Sequence, residues 1–177
     1  MQLPTLDEIE KAMRIVRTVM PPTPQYTWPL LNERAGVEIW VKHENHSPVG
    51  AFKLRGAIVY MAWLKQSRPS VKGVIAATRG NHGQGVALAA SRLGLTSTVV
   101  IPHGNSREKN RAMASLGAEL IEHGNDFQDA LDYATSLAEI RGIHLVPSFH
   151  PLLVHGTSTY AFEFLKAVPR LDAVYNT

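Results

Sequence analysis

Residues 74–85 read Val-Ile-Ala-Ala-Thr-Arg-Gly-Asn-His-Gly-Gln-Gly, a short apolar run followed by a glycine-rich turn. The apolar run has the length and composition of a buried strand, and the turn opens a segment with a helical pattern. In open α/β sheets ligands gather where strands end, so a turn that directly follows Ala77 is a candidate binding site.

Similar apolar runs occur downstream at 98–101, 118–121 and 144–146, separated by stretches with a helical pattern. These stretches end at glycine, a residue that tolerates the left-handed conformation needed there, at Gly94, Gly117 and Gly142. Repeated strand–helix–strand units with apolar strands imply parallel pairing and right-handed crossovers. The sequence therefore predicts an α/β fold, with an open parallel sheet and helices on both faces.

The segments around this repeat are less regular. Thr5 and Glu8 have the spacing of a capping box, which predicts the start of a first helix. Further predicted elements are a strand over 37–42, a helix over 51–67, a last helix over 157–168 and the beginning of another strand over 172–175.

The composition is that of an ordinary globular protein, with 45% hydrophobic and 19% charged residues over 177 positions. A formal charge of +3, without a Lys/Arg block, does not indicate nucleic-acid binding. The sequence contains no cysteine, and its eight histidines lack customary metal-ligand spacing, so no metal site is expected. It has no apolar stretch of membrane-spanning length and no recognisable targeting segment. We expect a cytoplasmic protein that binds neither membrane nor nucleic acid.

Lys53 lies in the segment Ala51-Phe52-Lys53-Leu54-Arg55-Gly56-Ala57, at the predicted start of a helix. Carbonyl chemistry by lysine requires the neutral amine, and the partial positive charge of a helix N-terminus disfavours the ammonium form. Phe52 beside it offers a flat apolar surface. Lys53 is therefore a candidate Schiff-base nucleophile; the alternative is a solvated lysine next to a core phenylalanine.

The turn at 78–85 matches neither the dinucleotide motif nor the P-loop in its spacing. Its glycines expose backbone N–H groups at a helix N-terminus, which suits a carboxylate or a phosphate. The Asn81 amide can hydrogen-bond a phenolate oxygen, and His82 lies in the same predicted anion site. The alternatives are structural, with Asn81 as a turn residue and His82 as an ordinary residue at a helix start.

Together the two segments resemble the serine/threonine dehydratases, which are pyridoxal-phosphate enzymes of fold type II. Residues 51–57 resemble the cofactor-attachment motif Ser-Phe-Lys-x-Arg-Gly-Ala, with Ala51 in place of serine. Residues 78–85 resemble the motif Ser-x-Gly-Asn-His-x-Gln-Gly, with Thr78 in place of serine. The resemblance runs through essentially the whole chain. It implies a two-lobed architecture, pyridoxal 5'-phosphate as cofactor and a small amino acid as substrate.

The resemblance also implies roles for the motif residues. Lys53 would bind the cofactor as a Schiff base and act as the catalytic base, and Phe52 would lie against the pyridine ring. Asn81 would hydrogen-bond the 3-hydroxyl oxygen of the cofactor. The substrate carboxylate would be held by Thr78, Gly80, Asn81 and His82. The implied reaction is α,β-elimination from threonine or serine, which yields a 2-oxo acid and ammonia.

Arg79 departs from the related racemases, which tend to place at this position a serine that serves as the second acid/base. Arginine does not release its proton at working pH, so elimination ranks above racemisation. Arg79 can also clamp a second carboxylate, which would favour a hydroxyaspartate-like substrate. The alternative is a solvated arginine at the rim of the site.

By the same resemblance, residues 1–67 would be the first part of the large cofactor domain, 68–150 the small α/β domain and 151–177 the return into the large domain. The family places its phosphate-binding loop after the strand predicted at 172–175, so the chain reads as an N-terminal half with a truncated large domain. An incomplete domain would expose an apolar face, and we expect a homo-oligomer. The alternatives to elimination are a catalytically inert homologue serving as a binding or assembly module, β-replacement, and racemisation.

Overall fold

A computed structural model describes residues 3–168 and 170–176. Within these residues the chain forms seven α-helices and six strands. In chain order they are α1 (Leu6–Arg17), β1 (Gln25–Thr27), α2 (Pro29–Ala35), β2 (Trp40–Lys42), α3 (Lys53–Ser67), β3 (Gly73–Ala77), α4 (Asn81–Arg92), β4 (Thr96–Ile101), α5 (Arg107–Ser115), β5 (Ala118–Glu122), α6 (Phe127–Arg141), β6 (His144–Leu145) and α7 (Pro151–Ala167). None of the helices in the described ranges is both long and apolar enough to cross a bilayer.

The main sheet is four-stranded and parallel, in the order β5-β4-β3-β6. The chain moves outward from β3 through β4 to β5, and then returns to pair β6 with the other side of β3. The strand order therefore reverses at β3, which makes the carboxyl end of β3 the topological switch point of the sheet. The turn that begins at Thr78 follows β3 directly at this point.

The side chains of β3 alternate between two apolar cores. Val74 and Ala76 pack into a core shared with α3 and α4, whereas Ile75 and Ala77 pack into a core shared with α6. This alternation follows from the period of two in a strand. The predicted fold, an open parallel sheet with helices on both faces, is confirmed.

Helices α3 and α7 cross at two glycines. A Cβ atom added to Gly56 would lie 2.7 Å from the carbonyl oxygen of Leu153, and one added to Gly156 would lie 2.6 Å from the Cα of Gly56. Both distances are shorter than real Cβ contacts, so only glycine allows the two backbones to come this close. The crossing attaches α7 to the helix that begins at Lys53.

Three predicted elements differ from the structure. The strand predicted over 37–42 forms only as β2, because the N–H of Ile39 donates to the side-chain oxygen of Asn32 at 2.8 Å and not to a neighbouring strand. The helix predicted over 157–168 begins at Pro151, which lacks only an N–H that a first helical turn leaves unpaired in any case. The strand predicted over 172–175 is wrong for the described residues 170–176, where Val174 and Tyr175 are exposed and no strand forms.

The apolar core also crosses one predicted domain boundary. Leu54 and Leu64 of α3 belong to the same buried cluster as Val74 of β3 and Val86 of α4. The segment before residue 68 and the segment after it therefore share one core. The division at 67/68 and 150/151 stays a prediction.

Candidate functional site

Lys53 is the first residue of α3, and its side chain is exposed. Its Nζ lies 5.3 Å from the centroid of the Phe52 ring, and that ring lies 5.5 Å from the ring of Tyr160 on α7. The hydroxyl of Ser47 accepts from the N–H of Ala51 at 2.8 Å and donates to the carbonyl of Ala51 at 2.9 Å. The segment that leads into Lys53 is thus held by a loop on one side and by α7 on the other.

The turn after β3 is shaped by Thr78. Its N–H donates to the carbonyl of Val100 at 3.0 Å, which continues the pairing of β3 with β4. Its buried hydroxyl accepts from the N–H of Gly80 at 3.1 Å. Helix α4 then begins at Asn81. The first three amides of a helix have no acceptor within it, so residues 81–83 can present N–H donors to an anion.

Two glycines of α4 have very close neighbours, and the second of them brings the two sequence motifs together. A Cβ on Gly83 would lie 2.5 Å from the sulfur of Met113 and 2.6 Å from a side-chain carbon of Thr78, so the site of Gly83 is filled by its neighbours. A Cβ on Gly85 would lie 3.3 Å from the backbone nitrogen of Leu54. The first turn of α4 therefore packs against the first turn of α3, one residue beyond Lys53.

His82 is the most perturbed titratable group of the site. Burial lowers the pKa of His82 to about 4, and the charge of Lys53 lowers it further within that total. The imidazole is therefore neutral at neutral pH. Its Nε2 is buried and has no hydrogen-bond partner within the described part of the chain. A buried polar atom without a partner is uncommon, and here it marks a place that a ligand can satisfy.

Arg55 has a structural environment that sequence reasoning did not identify. Its side chain is fully buried and donates to both carboxylate oxygens of Glu44 at 2.8 and 2.9 Å, and to Glu163 of α7 at 2.7 Å. Glu163 also pairs with Lys42 at 2.8 Å and with Arg17 at 2.7 Å. Burial raises the pKa of Glu163, but the hydrogen bonds from Arg55 and Lys42 outweigh this and hold the pKa below its usual range. The arginine of the first motif thus fastens α3 to α7.

Lys109, in the first turn of α5, is a second residue that sequence reasoning missed. Its side chain lies across Gly80, with Nζ 3.1 Å from the position that a Cβ on Gly80 would occupy. The hydroxyl of Ser106 caps this helix by accepting from the N–H of Lys109 at 3.4 Å. No local pattern in the sequence indicated that a lysine of α5 reaches the turn after β3.

The structure thus gathers most of the predicted site residues around two helix starts. Lys53 and Phe52 lie at the start of α3, and Thr78, Gly80, Asn81 and His82 form the turn and the start of α4. Asn81 and Arg79 are exposed there. Across residues 3–168 and 170–176, no group of three His, Asp or Glu side chains is arranged to hold a metal ion.

Comparison with known proteins identifies relatives over nearly the whole chain. Residues 16–176 match the family model described as "Pyridoxal-phosphate dependent enzyme". L-threonine dehydratase biosynthetic IlvA of Haemophilus influenzae is 40% identical over 154 residues, which are 86% of this chain and 30% of that protein. L-threo-3-hydroxyaspartate ammonia-lyase of Saccharomyces cerevisiae is 36% identical over 176 residues, which are 99% of this chain and 54% of that protein.

A solved structure shows the same arrangement of elements. A pyridoxal 5'-phosphate-dependent aspartate racemase superposes with a TM-score of 0.90 and 31% identity, over 97% of this chain and 54% of that one. The chain thus spans between about a third and about half of the length of these relatives. The resemblance drawn from the two motifs is confirmed, and the fold is that of type II enzymes.

Proposed function

The chain belongs to the family of pyridoxal-phosphate-dependent enzymes, and on that premise we propose that it acts as an ammonia-lyase on a β-hydroxy amino acid. The products would be a 2-oxo acid and ammonia. One observation carries the proposal: Gly85 packs the start of α4 against the start of α3, so the amine of Lys53 and the free amides of the turn serve one site. The names of the two curated relatives, a dehydratase and an ammonia-lyase, support the same reaction class.

The residues present fit the family's cofactor. Lys53 supplies an exposed primary amine, Phe52 an apolar ring beside it, and His82 a buried nitrogen without a partner. Pyridoxal 5'-phosphate, when bound, supplies a carbonyl for amines and an electron sink for the substrate Cα. In this proposal Phe52 covers the pyridine ring and Asn81 hydrogen-bonds its 3-hydroxyl oxygen.

Backbone amides and side chains of the protein have separate roles in the proposed reaction. The amides of residues 81–83, at the positive end of α4, bind and orient the substrate carboxylate. The amine of Lys53 would take the proton from the substrate Cα as a general base. His82 stays neutral at neutral pH, so it adds no second cation beside Lys53. Thr78 contributes indirectly, because its hydroxyl holds the N–H of Gly80 and keeps the turn in shape.

Racemisation is the second candidate, because an aspartate racemase shares this fold at a TM-score of 0.90. A racemase needs an acid/base on each face of the substrate carbon. Arg79, which occupies the turn between Thr78 and Gly80, cannot exchange a proton at neutral pH. We therefore place elimination first. Cytoplasmic location, homo-oligomerisation and the two-domain division stay predictions.

The test is product analysis on the purified protein with added cofactor. We expect 2-oxo acid from threonine, serine or 3-hydroxyaspartate without added thiol, together with a visible absorbance band that borohydride removes. Lys53→Ala should abolish both, whereas Lys72→Ala, an exposed lysine at the opposite end of β3, should change neither. Formation of the D-enantiomer without 2-oxo acid would favour racemisation, and a requirement for thiol would favour β-replacement. The absence of the absorbance band would favour the inert homologue.

A further inference from the structure

We infer that the site prefers an amino acid with a second carboxylate, a 3-hydroxyaspartate-type substrate, held by Arg79 and Lys109 together. The inference rests on the proposed function, since it names the substrate class of that same site. Arg79 stands in the turn between Thr78 and Gly80, and Lys109 reaches the same turn from α5. Arg79 thus precedes Gly80 in the sequence, and the side chain of Lys109 lies across the same glycine in the fold.

The position of Lys109 depends on Gly80. The methylene stem of Lys109 lies where a side chain on residue 80 would be, since its Cδ would collide with an added Cβ and its Cε would lie 3.2 Å from it. Lys109 therefore covers Gly80, the residue directly before the amides that start α4. A long side chain that lies along a backbone in this way keeps its charged end available.

The charges at the turn are not balanced within the protein. Among the described residues, the ion pairs and side-chain hydrogen bonds involve neither the guanidinium of Arg79 nor the ammonium of Lys109. By contrast, the buried cations Arg55 and Lys42 are paired with Glu44 and Glu163. Both cations at the turn are therefore available to a ligand.

The number of cationic and amide donors at the turn favours a substrate with two carboxylates. The α-carboxylate of any amino acid needs one group of donors, and the amides of residues 81–83 provide it at a helix N-terminus. A monocarboxylate such as threonine would leave Arg79 and Lys109 without an anion. A second carboxylate on the β-carbon side would be held by the planar donor array of Arg79 and the point charge of Lys109.

The kinetic test compares substrate preference in matched variants. The ratio of kcat/KM for 3-hydroxyaspartate to kcat/KM for threonine should exceed one in the wild type. In Arg79→Gln and in Lys109→Met this ratio should fall by roughly 10- to 100-fold, the effect of losing one charge-assisted hydrogen bond. Arg107→Gln removes a neighbouring exposed cation on α5 and should leave the ratio unchanged. An unchanged ratio in both Arg79→Gln and Lys109→Met would overturn the inference while the proposed function stands.

A binding measurement distinguishes failure of the substrate inference from failure of the proposed function. Succinate and butyrate have the same number of carbon atoms and differ by one carboxylate. At matched ionic strength, succinate should raise the unfolding temperature of the wild-type protein more than butyrate does, and Arg79→Gln/Lys109→Met should remove the difference. Equal shifts with the two acids in the wild type would overturn the inference. If the protein turns over neither substrate, the proposed function fails, and the succinate difference still decides whether a dicarboxylate is recognised.

Discussion

At the scale of single residues, neighbouring positions of the motif at 51–57 have different environments and different roles. Lys53 is exposed at the start of α3, whereas Arg55, two residues later, is fully buried and bound to two carboxylates. A helix places residues two positions apart on different faces, so the site and its support alternate along the motif. Lys53 is exposed, as its proposed role requires, and Arg55 holds the helix that presents it.

His82 supports a prediction about pH. Burial and the charge of Lys53 lower the folded-state pKa to about 4, whereas the unfolded chain protonates this histidine near its ordinary value of about 6.5. Between these two values the unfolded state binds more protons, so the free energy of unfolding falls as the pH falls. At about 1.4 kcal/mol per pKa unit, the full effect is about 3 kcal/mol.

Replacing His82 by Gln should remove this contribution. Denaturant unfolding between about pH 7 and pH 4.5 should show a shallower loss of stability in His82→Gln than in the wild type. Burial also lowers the pKa values of His144 and His150, so the slope is compared between proteins and not read from one alone. His103→Gln, at an exposed histidine, is the control and should keep the wild-type slope. Identical slopes in all three proteins would contradict the prediction.

At the scale of secondary-structure elements, the site depends on two close helix contacts, which are made at three glycines. Helix α3 meets α7 at Gly56 and Gly156, and it meets α4 at Gly85. The glycine of the first motif is therefore explained by the contact with α7. Because α3 begins at Lys53, each of these contacts helps to hold the backbone of Lys53 in place.

Gly156→Ala tests the crossing of α3 and α7. In an isolated helix this substitution stabilises by about 1 kcal/mol, because alanine has the higher helix propensity. Here the added Cβ would collide with the backbones of Arg55 and Gly56, and we expect a loss of about 1–3 kcal/mol in the free energy of unfolding. Denaturant unfolding measures the difference.

The matched control is Ser136→Ala, at an exposed position of α6, which should change stability by less than about 0.5 kcal/mol. A gain in stability for Gly156→Ala would show that the two helices can separate at no cost.

At the scale of the whole molecule, the parallel sheet places the turn at its switch point, and an apolar surface lies beside the start of α3. A cavity of about 490 Å³ is lined by apolar side chains that include Phe52, Leu6 and Leu165. Leu6 is 68% exposed and Leu165 51% exposed. Contiguous apolar surface of this kind favours association.

We expect the 177-residue chain to self-associate through this surface. Sedimentation at several concentrations should give an apparent mass above that of the monomer, and Leu6→Lys/Leu165→Lys should lower it. Ile140→Lys, at an 80% exposed position on α6, should leave the apparent mass unchanged. A monodisperse monomer at every concentration would refute the prediction.

Local sequence information predicted the repeating part of the fold well. The four strands of the main sheet appear where the apolar runs lie, and Gly94, Gly117 and Gly142 have φ angles of 67°, 88° and 61° after their helices. Predictions failed where a distant or side-chain partner decided the outcome. The amide of Ile39 is bound by Asn32, and Pro151 starts a helix with the Nδ1 of His150 accepting from the N–H of Leu152 at 3.2 Å.

Local sequence patterns were sufficient to predict the fold class, the family and the residues at the two helix starts, because periodicity, helix capping and motif spacing are local properties. The burial of Arg55 among carboxylates, the position of Lys109 over Gly80 and the contact between the starts of α3 and α4 became visible only in the folded chain. Arg55 and Glu163 are 108 positions apart in the sequence. Gly80 and Lys109 are 29 apart, and Leu54 and Gly85 are 31 apart. Such contacts depend on how helices pack on the sheet, and local patterns do not encode that packing.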